Sequence, residues 1–105
     1  MATILDDLGK CYVGLGDREA ARKIYQEVTQ DSAAPWFATF EAWEALGELY
    51  AQERDERNAL AAFRNISKTE GDAWGWLADY YDKNGLTDDS MRARNESDKL
   101  RALGR

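Results

Sequence analysis

Carboxylates dominate the residues that could do chemistry in this 105-residue chain: 20 Asp and Glu stand against 14 Lys and Arg, with one cysteine and no histidine. Without histidine the chain lacks the commonest general base and the commonest transition-metal ligand, and with them any Ser-His or Cys-His arrangement. Cys11 alone completes neither an internal disulfide nor a zinc site of the usual types. It falls on the apolar side of its helix and reads as a reduced core residue. The pairs Asp6-Asp7 and Asp88-Asp89 fit solvated faces or helix N-termini better than catalytic dyads. "DKNGLTDDS", from Asp82, has the acidic spacing of a calcium loop, but Leu86 occupies a ligand position and Thr87 the place of the required glycine. "GLGDRE", from Gly14, lacks the third glycine and the preceding strand of a dinucleotide fingerprint. The sequons at Asn65 and Asn95 are chance matches in a chain not expected to be secreted. No catalytic residue, cofactor or metal is expected. What remains is a surface.

The elements that must carry this surface are helical. Hydrophobic residues make up 44% of the chain, enough to argue against disorder. One proline and few β-branched residues favour helices over sheet, and the length suits one domain spanning 1–105. A net charge of −6 disfavours nucleic acid as a partner, since phosphate binding needs a basic surface. No apolar run approaches the roughly 20 residues that span a bilayer, and Asp6 and Asp7 interrupt the place of a signal peptide's apolar core. No membrane contact and a cytoplasmic location are therefore expected. Hydrophobic periodicity with cap signals divides the chain into six helices: about 3–15, 18–30, 36–53, 56–68, 73–84 and 87–103. Asp17 is expected to cap the second. Gly71 should stop the fourth and Asp72 cap the fifth, while Gly85 and Gly104 end the last two. Connections this short predict antiparallel hairpins over about 3–30, 36–68 and 73–103.

The hairpins share a pattern. "LDDLGKCY" (Leu5 to Tyr12), "WEALGELY" (Trp43 to Tyr50) and "WGWLADYY" (Trp74 to Tyr81) repeat one spacing of large, large, small and aromatic residues. Ala21 and Tyr25, then Ala59 and Phe63, follow the first two. In these features the chain resembles the tetratricopeptide repeat family, with its pattern W-x2-L-G-x2-Y…A-x3-F. The second unit matches through Trp43, Leu46, Gly47, Tyr50, Ala59 and Phe63. The first has Leu5 for the tryptophan, and the third loses the pattern after Tyr81. The resemblance covers roughly residues 3–85. It implies an all-α fold of six antiparallel helices, stacked as three hairpins in a right-handed solenoid with the last helix as a cap. Gly47, costly in a helix by about 1 kcal/mol, is expected to let the backbones approach at a small–small contact with Ala59, where an alanine would also fit. Trp36, Phe37 and Phe40 should pack on the first hairpin. The last helix, with Ser90, Ala93, Ser97 and Leu100 inward, should be the least stable element.

In the resembled family the first helix of each unit lines a groove that holds peptides. Carried over by position, the groove residues are Thr3, Asp6, Lys10 and Val13, then Glu41, Glu44, Glu48 and Ala51, then Asp72, Gly75, Asp79 and Asp82. This groove is acidic. Most basic residues, Arg94 and Arg101 among them, fall on the second helices, away from it. The resemblance thus implies a non-enzymatic, monomeric interaction scaffold that takes a basic peptide or protein segment through Asp6, Glu41, Glu44, Glu48, Asp79 and Asp82. A carboxylate clamp is contradicted, because the groove holds acids where a clamp needs Lys, Arg and Asn. Trp76, which the packing pattern does not require, either contacts the ligand or packs beneath the last helix. The alternative is an engineered helical protein, de novo or assembled from fragments, with no biological ligand. Irregular repeat spacing and the loss of pattern after Gly85 suit that alternative.

Overall fold

Cap and period signals become five α-helices in the computed structural model, which describes residues 17–105. They are α1 (Arg18–Gln30), α2 (Trp36–Gln52), α3 (Glu56–Arg64), α4 (Glu70–Lys83) and α5 (Thr87–Ala102). The helix expected over about 3–15, with Asp6, Gly9, Lys10 and Cys11, lies outside the described residues. Among the described residues there is no strand, and no helix is long and apolar enough to cross a membrane.

Three of these helices begin at a side-chain cap, and three end at a left-handed residue, that satisfies free backbone groups. Asp17 Oδ1 accepts from Ala20 N at 3.1 Å and Asp55 Oδ1 from Asn58 N at 3.2 Å. The fifth expected helix starts earlier than its glycine implied. Thr69 caps it, accepting from Asp72 N at 3.1 Å, so Asp72 lies inside the first turn and is not the cap. Gly71 lies inside as well, as a place of close approach. Arg54, Gly85 and Gly104 all have φ near +70°, and each closes the preceding helix with a Schellman pair of bonds. The fourth expected helix stops four residues early, at Arg64. There Asn65 Nδ2 donates to Ala61 O and Ser67 Oγ to Phe63 O, and these side chains take the carbonyls that a longer helix would use.

Consecutive helices pack on one another, and α2 also meets α4. Two apolar clusters result. Ala21, Tyr25 and Val28 of α1 pack with Ala38, Ala42, Leu46 and Leu49 of α2. Ala59 and Phe63 of α3 pack with Ala73, Leu77, Ala78 and Tyr81 of α4 and Ala93 of α5, and Tyr50 borders both clusters. Gly47 does serve close approach, but its partner is Phe63 and not Ala59. A Cβ there would lie 2.5–2.7 Å from three carbons of that ring. The α2 aromatics were expected on the first hairpin, whose first helix lies outside the described residues. Phe40 meets Trp76 edge-on at 5.9 Å, while Trp36 and Phe37 pair with each other and stay 79% and 49% exposed.

Candidate functional site

Helical spacing gathers the site from two helices. Glu44 and Glu48 lie four residues apart on α2, and Trp76, Tyr80 and Lys83 follow at steps of four and three on α4, with Asp79 and Asp82 beside them. Together with the edge of Phe63 these residues line a hollow of about 330 Å³. Its floor is aromatic: the Trp76 ring stacks on Phe63 with centroids 6.1 Å apart and planes 13° apart, and Phe40 meets Trp76 edge-on. Gly47 is what allows Phe63 to come this close, so the repeat glycine shapes the floor from beneath.

Four carboxylates share this lining with one ammonium, that of Lys83. Burial, and after it the neighbouring charge of Glu44, hold the Glu48 carboxyl above its ordinary range against the lowering charge of Lys83. Burial and the Glu48 charge raise the Tyr80 phenol too, so it stays neutral. A positive group entering the hollow would lower the electrostatic energy of Glu48 and Glu44 at once.

Of the residues expected at a groove, Glu44, Glu48, Trp76, Asp79 and Asp82 come together at this hollow. Glu41 is exposed on α2 and does not line it. Asp6 lies outside the described residues. Trp76 is half-buried and forms a ridge between this hollow and a second one of about 670 Å³, which Lys68, Asp72, Arg94 and Arg101 also line. Its rings of contact are Phe40 and Phe63, so packing beneath the last helix is not its main role. The expected separation of acids from bases is corrected as well. Arg94 Nη2 reaches Asp82 at 3.1 Å and Asp79 at 3.4 Å, and Arg101 Nη2 reaches Asp72 at 3.1 Å. Tyr80, Lys83 and Phe63 were not expected in the lining. The first two were legible as the turns following Trp76, whereas Phe63 has the sequence signature of a core residue.

Among the described residues no group of three or more Asp, Glu, Cys or His is placed to hold a metal ion. The arrangement presents charge and an aromatic face, which suits recognition of a cationic side chain. Residues 2–30, the segment ending with α1, match the family model described as Tetratricopeptide repeat. No curated protein matches the chain. Repeats of this kind generally mediate protein–protein interactions. The match supports a tetratricopeptide repeat over residues 2–30, and the all-helical fold of the described residues fits a helical repeat.

Proposed function

We propose that the protein is a non-enzymatic interaction module that takes a basic peptide or protein segment on an acidic face, with Glu44, Glu48, Trp76, Asp79 and Asp82 making the contact. One observation carries this reading: the hollow between α2 and α4, in which four carboxylates stand over the Trp76–Phe63 floor. A Lys or Arg side chain entering it would meet acids in a partly dehydrated setting, where attraction exceeds that in bulk water. It would also lie near an aromatic face, whose quadrupole attracts cations. Glu41, one turn before Glu44, and Asp6, by its family position, would extend the acidic track. In this reading the chain is a monomer of three hairpins, about 3–30, 36–68 and 73–103, stacked as a right-handed solenoid with α5 as the cap. The packing of each helix on its neighbours, and of α2 on α4, supports that stack.

Calorimetric titration with a Lys/Arg-rich peptide at low salt tests the reading. Saturable binding is expected, and it should weaken as salt rises, because exposed charges are screened over about 10 Å at 0.1 M. Glu44→Lys with Glu48→Lys should abolish binding and leave the helical circular dichroism intact. Arg57→Glu, on the far side of α3, should leave it nearly unchanged. No saturable binding, or equal losses from both reversals, would refute an acidic binding face.

A further inference from the structure

Two of the four acids at the hollow already hold a guanidinium, and it belongs to the chain itself. Arg94 is carried by α5, outside the α2–α4 walls, and its Nη2 bridges Asp82 Oδ2 at 3.1 Å and Asp79 Oδ1 at 3.4 Å. All three side chains are open to solvent, at 50% for Arg94, 63% for Asp79 and 62% for Asp82. Exposed pairs of this kind hold weakly, since water and screening replace most of what they lose on parting. Nor does the fold need Arg94 in place. The helix is anchored by other residues: Ser90, Ala93 and Ser97 are buried, Ser97 Oγ donates to Gly71 O at 2.7 Å, and Arg92 pairs with Glu56 of α3. Arg94 is thus free to leave without unseating α5.

We propose that Arg94 is a built-in competitor for the acidic groove, a specificity-determining residue that a partner's arginine must displace from Asp79 and Asp82. This rests on the basic-segment reading above. The resident ion pair shows which chemistry these two acids accept, a guanidinium donating to paired carboxylates. While Arg94 stays, Asp79 and Asp82 already hold a positive charge, and an incoming cation gains mainly from Glu44 and Glu48. When it swings into solvent, all four acids are open. A segment with a single positive charge gains from Glu44 and Glu48 alone, whereas one with two suitably spaced arginines also gains by displacing Arg94. The groove therefore favours arginines in clusters.

The test is calorimetric titration of the whole chain with an arginine-rich peptide at low salt, comparing the parent with Arg94→Gln and Arg57→Gln. Both substitutions remove one positive charge, so any effect of net charge is common to them. Arg94→Gln should bind about two- to fivefold more tightly, as expected for releasing an exposed ion pair, and should exceed Arg57→Gln. Circular dichroism should show both variants folded. Suppose the parent binds, and loses binding on reversal of Glu44 and Glu48, but Arg94→Gln binds no tighter than Arg57→Gln. The competitor role is then overturned while the acidic groove stands. Absence of binding in all three proteins overturns both.

Discussion

A methyl group at position 47 would press into the Phe63 ring, which is buried and stacked on Trp76. Overpacking of this kind costs about 1–3 kcal/mol, while replacing a helical glycine by alanine gains about 1 kcal/mol. Gly47→Ala should therefore lower stability by up to about 2 kcal/mol in thermal or urea unfolding, against the sequence expectation that a methyl fits. Gly75 behaves oppositely. Its nearest neighbour is Arg101 Nη2 at 3.1 Å, the mobile end of an exposed side chain. Gly75→Ala should raise stability by up to about 1 kcal/mol from helix propensity alone. An unfolding midpoint that rises for both variants would show that Phe63 yields. Glu48 makes a different kind of test. Its carboxyl is raised above the ordinary value of 4.5 by burial, then by Glu44, against Lys83. The folded chain thus binds this proton more tightly than the unfolded chain, so stability falls as pH rises through 4.5 and the interval just above it. Glu48→Gln should remove that fall. The variant should gain on the parent across this interval and stay more stable at neutral pH, yet bind basic peptide less well. A stability difference that does not change with pH would mean the carboxyl titrates normally.

Among the elements, α5 departs furthest from what its composition implied. Serines and an alanine on its inward side look like poor core material, yet α4 and α5 pack along most of their lengths. Small side chains bring the backbones together. A Cβ on Gly71 would lie 2.8 Å from Arg105 O and 3.3 Å from Ser97 O, and Ser97 Oγ finds a carbonyl of α4 at 2.7 Å. Dispersion across a close contact and a satisfied buried hydroxyl replace the missing apolar bulk. Amides of Ala93 to Ser97 should consequently exchange about as slowly as those of Leu77 to Tyr81, with early opening confined to the last turn. Ser97→Ala should cost about 1 kcal/mol, and Ser97→Val more, because it adds volume at the contact. Fast exchange throughout α5 would restore the loosely held cap. Helix starts and stops were mostly legible: Asp17, Gly85 and Gly104 act as their residue types imply. Gly71 misled because a glycine read as a stop can equally mark a close approach. The end of α3 was hidden because Asn65 and Ser67 act through side-chain bonds to the backbone.

For the whole molecule, stacking decides both where the site lies and how stability is shared. The family spacing was enough to bring Glu44, Glu48, Trp76, Asp79 and Asp82 to one hollow, because each follows from helical phase. Arg94 could not be placed that way. Its reach to Asp79 and Asp82 depends on how near α5 lies to α4, and that distance is set by Gly71 and Ser97, not by any periodicity. The same neighbour-by-neighbour packing divides the core. Among the described helices α1 meets only α2, and its residues sit in one apolar cluster, while Leu77 sits at the centre of the other with no exposure. In a stacked array stability is close to a sum of unit and interface terms, so damage to one end reaches the other only through what lies between. Leu77→Ala removes buried methyl groups and should cost about 2–5 kcal/mol locally. Native-state amide exchange should then show α4 and α5 losing protection by that amount, while Tyr25 and Val28 of α1 lose less. Val28→Ala should give the reverse order, weakening α1 more than α5. If either substitution lowers protection equally from Arg18 to Ala102, the two clusters unfold as one unit. Tyr50, which borders both, would then be the coupling to break next.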